Sequence, residues 1–220
     1  MPKITSVEPQ EKNLHRFNIF LDGIFTLGAD EDLVVEYRLV VGREIDTPLL
    51  EKLLFEAEVG KLMERMYRLW NVRPRSEKEV RDYLRDLSFK RKAKDKDEVS
   101  QAAADLLVEK LKQKKLLDDQ SFAKAWVESR RKTKKKGKIA LRQELFQKGI
   151  DREIIDKVIT DMGYEISEEE LAEQALEKKI KIWQSLPYLE KKKKAYEYLL
   201  RRGFEYEVVK SVVEKKSQKS

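Results

Sequence analysis

Apolar residues recur along this chain at two spacings, and the change between them divides it. In "HRFNIFLDGIFTLGAD" (15–30) apolar and polar positions alternate around Asp22-Gly23, a pair suited to a type I′ turn because both central residues of that turn need φ > 0. The stretch predicts a small β-hairpin unit. After it, "DEDLVVEYRLVVGREI" (30–45) predicts a short helix starting near Asp30 and a further strand over 43–45. Asp46 or Thr47 can then cap one long helix, in which Leu50, Leu53, Leu54, Ala57, Leu62, Met66 and Leu69 fall at roughly helical spacing.

Pro74 disfavours helix at Arg73, and Ser76 with Glu79 three residues on makes a capping box, so a new helix starts there with Val80, Leu84 and Leu87 on one face. The tract "KRKAKDKDE" (90–98) has no apolar anchor and reads as a mobile linker or a solvated helix end. From Val99 onward the pattern is helical almost throughout. "VSQAAADLLVEKLKQKKLL" is followed by a helix that Asp118 or Asp119 can cap, with Phe122, Ala123, Trp126 and Val127 as its apolar face. Two adjacent aspartates also suit a metal or an acid/base pair, but no further carboxylate or histidine is placed in support.

Residues 141–159, "LRQELFQKGIDREIIDKVI", align without a gap on 195–213, "AYEYLLRRGFEYEVVKSVV". Leu145 falls on Leu199, Phe146 on Leu200, Gly149 on Gly203, Ile150 on Phe204, Ile154 on Val208, Ile155 on Val209 and Val158 on Val212. Each copy predicts a helix, a glycine C-cap in the left-handed conformation, an apolar residue covering the helix end, and a second short helix. Adding the preceding helices, 119–132 and 168–185, gives two three-helix modules. Residues 76–117 look like an earlier, degenerate copy, with Leu84 in the place of Leu145 and the charged insertion where the glycine should be.

The expected fold is therefore mainly α, with tandem three-helix modules forming an elongated curved body behind a small N-terminal β-hairpin-containing unit. The expected divisions are 1–70 (β unit plus long helix), 71–117 (first, degenerate module), 118–163 (second module) and 164–220 (third module). A long partner suits such a body better than a pocketed substrate.

Charge sharpens that expectation. Charged residues make up 40% of the 220, against about 25% in an ordinary soluble domain. Residues 1–70 hold 9 basic and 13 acidic side chains, a net −4, and the remainder 39 and 28, a net +11. Such asymmetry suggests a polyanionic partner for the C-terminal part, nucleic acid before an anionic membrane surface. Cysteine is absent, which removes disulfides, thiolate metal sites and thiol nucleophiles. The first residues lack a signal-peptide pattern, and no apolar run approaches bilayer-spanning length. A cytoplasmic location, with no membrane partner, is expected.

Between 129 and 148 stand nine basic residues, Arg130, Arg131, Lys132, Lys134, Lys135, Lys136, Lys138, Arg142 and Lys148, against one acid, Glu144. One sign of charge at a helix start, where backbone N–H groups also attract anions, points to phosphate contact, although a highly charged protein has solvated basic faces in any case. Lys191, Lys192, Lys193 and Lys194, with Arg201 and Arg202, stand at the equivalent place in the later repeat, among more acids. Trp126, Trp183, Tyr188, Tyr196 and Tyr198 lie nearby and could stack on bases, but both tryptophans fall on apolar helix stripes and suit the core better. His15, the one histidine, has no obvious partner. No phosphate-binding loop, GxSxG or zinc spacing occurs, and the carboxylates are scattered over charged faces, so nothing favours a nuclease or another enzyme.

With these residues assembled, the chain resembles the RecX family, bacterial regulators of the RecA recombinase. The resemblance rests on "RPRSEKEVRDYL" (73–84), "LLDDQSFAKAWVESR" (116–130) and "IALRQELFQKGI" (139–150), in the family's order and spacing, and spans 73 to about 215. "HRFNIFLDGIFTLGADEDLVVEYRLVVGREI" is similar to the N-terminal extension of some members. It implies a non-enzymatic helical protein without cofactor that binds the RecA–DNA filament along its groove and commonly restrains the recombinase, a role in DNA recombination, repair and the SOS response. Single-stranded DNA, and by extension double-stranded DNA, would be touched by the basic residues named above. The chain departs from the family at Lys115, where glycine is usual, and at the 90–98 insertion. A general nucleic-acid-binding helical protein with no recombinase partner is the alternative.

Overall fold

The computed structural model of the chain describes residues 1–11, 13–161 and 166–217. They form two compact units, one of Met1–Arg75 with Val80–Leu117, the other of Ser76–Glu79 with the chain from Asp118 onward. The expected boundary at 163/164 lies outside the described residues.

In the first unit, strands β1 (Ile4–Gln10), β2 (Asn13–Leu21) and β3 (Ile24–Asp30) pair antiparallel in chain order. Asp22 and Gly23 take φ of 48° and 81°, the two left-handed positions of the expected I′ turn. Strand β1 was not legible, because Glu8 and Pro9 break its alternation; both are tolerated on the sheet edge. The expected strand at 43–45 is instead a single bridge, Lys3 to Glu44. Gly42 turns the chain at φ 92° just before it and the Asp46 cap follows, which leaves no length for a ladder.

Asp30 caps α1 (Glu31–Glu36) by accepting the Leu33 N–H, and Asp46 caps α2 (Thr47–Trp70) by accepting that of Leu49. Helix α2 feeds two cores. Leu53 and Ala57 pack with Ile4, Ile19, Leu27, Leu33, Leu39 and Ile45 of the β unit. Farther along, Val59, Leu62, Met63 and Met66 pack with Val80 and Leu84 of α3 (Glu77–Lys92) and with Leu107, Val108 and Leu111 of α4 (Gln101–Gln113). The charged tract 90–98 is a helix end. Helix α3 runs into it, Asp95 takes φ 50°, and the Lys96 N–H donates back to the Arg91 carbonyl, the closing bond of a Schellman motif. At Lys115, φ 54°, the Leu116 N–H returns to Leu111 in the same way. Lysine there performs the backbone task of a glycine, at a strain of about 1 kcal/mol.

Among the described residues, the second unit holds the start of α3 and six whole helices, α5 (Asp119–Lys134), α6 (Lys138–Gln147), α7 (Arg152–Asp161), α8 (Glu168–Ile182), α9 (Tyr188–Arg201) and α10 (Tyr206–Ser217). The fold is thus mainly helical with a small N-terminal sheet and tandem three-helix modules, as expected. Asp118 caps α5 by accepting the N–H groups of Gln120 and Ser121, while neighbouring Asp119 accepts the Glu77 N–H at the start of α3, so the two carboxylates serve two helices. The repeat alignment is reproduced in burial. Leu145 and Leu199, Ile150 and Phe204, Ile155 and Val209, and Val158 and Val212 are all in the core, in two clusters of α5–α7 and α8–α10.

The two glycines of the repeat take φ of 76° and 83°, and each faces another helix start. Against Lys148–Gly149 lies Ser76–Lys78, where the Ser76 hydroxyl donates to the Lys148 carbonyl at 2.7 Å. Against Arg202–Gly203 lies Gly137–Ala140, where the Gly137 and Ile139 N–H groups donate to the Arg202 and Gly203 carbonyls, each at 3.0 Å. A Cβ on Gly203 would overlap the Ala140 backbone, whereas one on Gly23, also at positive φ, would meet nothing within 4 Å. Gly203→Ala is therefore expected to cost about 2–4 kcal/mol in urea unfolding, backbone strain plus overpacking. Gly23→Ala should cost only the backbone part, about 1 kcal/mol. Equal costs would show that the close approach contributes nothing.

Candidate nucleic-acid interface

The basic run 130–138 connects α5 to α6. Helix α5 ends at Lys134, Lys135 reverses the chain at φ 49°, and Gly137 precedes α6. Lys132 and Lys134 are exposed and make no ion pair with the described residues; Lys135 is half-buried. Arg142, exposed on α6, reaches Asp156 of α7 at 3.2 Å. On α9, Lys193, Lys194 and Arg201 are exposed and unpaired among the described residues, Lys192 is half-buried, and Lys191 donates to the Gln184 carbonyl at 3.3 Å. Arg202 lies with its guanidinium 4.9 Å from the Tyr198 ring centre and donates to the Lys134 carbonyl. That bond brings the ends of α5 and α9 together, so Arg201 and Arg202 neighbour the first cluster. Lys191–Lys194 lie farther off, Lys192 about 15 Å up the helix from Arg202 at 1.5 Å per residue.

Other cations of the run are spent inside the unit. Arg131 is buried, paired with buried Glu168 of α8 and donating to the Ile166 carbonyl at 2.8 Å. A charge taken out of water needs such a partner, which is why the sequence count of cations overstates the exposed ones. The start of α6 is likewise filled. Its first N–H groups go to the Arg202 carbonyl, to Glu168 Oε2 (from Lys138, 3.3 Å) and to the Gly203 carbonyl. The anion seat expected at that helix start is occupied by the protein's own carboxylate.

Glu144, the one acid of the segment, is its organiser. It accepts from Trp126 Nε1 at 2.8 Å, from Arg130 Nε at 3.0 Å and from Lys136 Nζ. Burial raises the pKa of its carboxyl, but the hydrogen bonds from Lys136 and Trp126 and the charges of Lys136 and Arg130 outweigh burial and hold it below the ordinary value of 4.5. Trp126 is covered by Phe122, stacked at 5.6 Å, by the Arg130 guanidinium at 4.2 Å and by the Lys148 ammonium at 5.0 Å, so it belongs to the core. Trp183 packs edge-on against buried Tyr198, and Tyr196 lies against Tyr206. Tyr188 is exposed. His15, expected to stand alone, is 3.1 Å from Glu31. Among the described residues, no group of three or more His, Asp and Glu is placed to hold a metal, and no helix is long and apolar enough to cross a membrane.

Three family models match the chain: "Regulatory protein RecX N-terminal domain" over residues 2–46, "RecX, second three-helix domain" over 118–159 and "RecX, third three-helix domain" over 167–213. The regulatory protein RecX of Bacillus subtilis (strain 168) is 34% identical over 214 residues, 97% of this chain and 77% of the relative. This chain belongs to the RecX family. The RecX of Bacillus licheniformis is 32% identical over the same coverage. A crystal structure of regulatory protein RecX superposes with a TM-score of 0.72 at 26% identity, over 96% of this chain and 98% of that one. RecX from Lactobacillus salivarius, at 22% identity and a TM-score of 0.58 over 71% of this chain and 95% of its own, shares the fold. The family is one of regulatory proteins by name.

The Glu144 cluster has a testable pH signature. A carboxyl whose folded pKa is depressed contributes stability that is present above its unfolded pKa, about 4.3, and is lost as pH falls through the lower folded value. Glu144→Gln is expected to be less stable than the parent by about 1–3 kcal/mol at pH 7, with the gap closing at acid pH as the parent carboxyl protonates. Urea midpoints of both proteins against pH check this; a gap that stays constant down to pH 3 would exclude ionised Glu144 as the source.

Proposed function

We propose that this protein is a regulator of a RecA recombinase, acting without catalysis or cofactor in the cytoplasm, and most often as a brake. What carries the reading is membership of the RecX family across nearly the whole chain. Its parts would be the expected ones: a β unit with a long helix (1–70) and three helical modules (71–117, 118–163, 164–220). Lys132, Lys134, Lys135, Lys193, Lys194 and Arg201 supply the phosphate contacts, with Lys136, Lys138, Arg142, Lys191, Arg130 and Arg202 adding field from positions held by internal partners and Lys192 from a half-buried one. Arg131 acts structurally. Charge then gives affinity for single-stranded DNA, and by extension duplex, while the shape of the modules selects the filament.

If about six cations release counterions from single-stranded DNA, log K should fall with log salt at a slope of about −4. A slope near zero in fluorescence-anisotropy titrations would remove the phosphate contacts.

The regulatory reading is tested by following DNA-dependent ATP hydrolysis by the cognate recombinase while this protein is added. Inhibition well below one molecule per recombinase subunit is expected, weakened about tenfold or more in Lys132→Glu/Lys134→Glu/Lys193→Glu/Lys194→Glu. No effect until the DNA is coated would favour general nucleic-acid binding, to which the exposed lysines alone would be sufficient.

A further inference from the structure

Of the five aromatic residues that the sequence offers as base-stacking candidates, Trp126, Trp183, Tyr196 and Tyr198 each pack against another ring of the fold. Tyr188, the first residue of α9, is 52% exposed, and its side chain makes no hydrogen bond or ring contact among the described residues. A single exposed ring is ordinary on a protein surface. The surroundings of this one give it a use.

Tyr188 forms one wall of a shallow slot of about 70 Å³ between α8, α9 and α10. Its floor is apolar, with Leu176, Ala195 and Val213 all buried, and Lys191, Lys192 and Lys216 complete it. Among the described residues no acid lines the slot. Lys191 donates to the neutral Gln184 carbonyl and Lys192 has no ion pair among the described residues, so both charges stand uncompensated, while Lys216 shares its own with Glu173 at 3.8 Å. Tyr188, Lys191, Lys192 and Ala195 follow at i, i+3, i+4 and i+7, which puts ring, charges and floor on one face of α9.

An aromatic wall, an apolar floor and a cationic lining match one nucleotide of a single strand, a flat base joined to phosphate. Cavities that hold a small molecule measure about 300–1,000 Å³, far more than this slot. A protein anchor contributes most in a fully desolvated pocket, which an open slot does not provide. A stacked base needs only a face, and its edges can stay in water.

We infer that Tyr188 is a stacking platform for one base of single-stranded DNA, with the field of Lys191 and Lys192 drawing in the adjoining phosphates. The inference rests on the nucleic-acid part of the reading above and adds what separates a single strand from a duplex. Every base has a π-face, so the contact is indifferent to sequence. In a duplex those faces are already stacked on their neighbours, and reaching one costs unstacking.

Fluorescence anisotropy tests this with the parent, Tyr188→Ala and Tyr188→Trp on three labelled oligonucleotides of one length: a single strand, a duplex, and a single strand whose sugars carry no bases. Tyr188→Ala should bind the ordinary single strand about tenfold more weakly, and the duplex and abasic strand within twofold of the parent. Tyr188→Trp should match or exceed the parent. The salt slope should not change, because no charge is removed. The ratio of affinities for the ordinary and abasic strands is read within each protein, so a partial loss of fold does not imitate the effect. An alanine variant that keeps the parent's affinity for the single strand would overturn the platform and leave the phosphate contacts standing; if the same variant bound the cognate recombinase filament more weakly, the ring would be a protein contact instead. Equal loss on the abasic strand, or a tryptophan variant as weak as alanine, would overturn stacking. A parent whose affinity for the single strand does not respond to salt would defeat the nucleic-acid reading itself, separately from the platform.

Discussion

Gly203 has no room for a side chain, and that absence governs how the second unit is put together. At φ 83° it ends α9 while its carbonyl accepts the Ile139 N–H and the preceding carbonyl accepts that of Gly137. Gly137 is equally constrained, since a Cβ there would strike the Gly203 backbone. Two glycines face to face allow backbone hydrogen bonds between the end of one helix and the start of another. The first N–H groups of α6, which have no partner within their own helix, are satisfied by this joint and by Glu168. The buried Arg131–Glu168 pair sits at the same place, so the helix starts of α6 and α8 and the end of α5 are held by one polar cluster. Removing either charge would leave the other buried and unpaired.

The same joint recurs around Gly149, with variations that show which parts matter. Ser76 replaces Gly137 and bonds through its hydroxyl in place of a backbone N–H. Lys148 and Arg202, the residues just before the two glycines, each lie over an aromatic ring of their own module, Trp126 and Tyr198. Their guanidinium and ammonium groups thus cover core aromatics and place positive charge near the carbonyl end of the helix, where the helix dipole favours it.

Much of this organisation was legible in the sequence. Position-by-position matching of 141–159 to 195–213 located the buried pairs and the left-handed glycines, because a helix end needs both an αL residue and an apolar cover. The Asp-Gly turn and the aspartate caps were legible for the same local reason. What was not legible depended on distant partners. Nothing in "ITSVEPQ" marks a strand until β2 offers it an edge, and nothing in α2 shows that Leu53 and Leu62 serve different cores. At the interface, counting cations could not separate Arg131, buried against an acid 37 residues away, from Lys132 beside it in water. In the sequence Glu144 is only the one acid counted against nine cations, whereas its place in the fold makes it the group that orients Arg130, Lys136 and Trp126.

That distinction bears on how a basic protein holds a polyanion without losing its shape. A cation that closes an internal ion pair leaves a carboxylate unpaired if it turns to a phosphate, so on the proposed reading Arg130 and Lys136, paired with half-buried Glu144, would contribute a field more than a contact, with the exposed Arg142–Asp156 pair the more easily released. Lysines free in solvent have no such tie, and each can follow a phosphate at little cost beyond its own side-chain freedom. Lys132 and Lys134 stand at the end of α5, and Arg202 bonds the Lys134 carbonyl, so these exposed charges are mounted on the joint between helices. Backbone there is held by the glycine contact while the Lys132 and Lys134 side chains extend into solvent. On the proposed reading a groove of phosphates would meet exposed charges carried on hydrogen-bonded helix ends, and shape, more than charge, would decide which polymer is gripped.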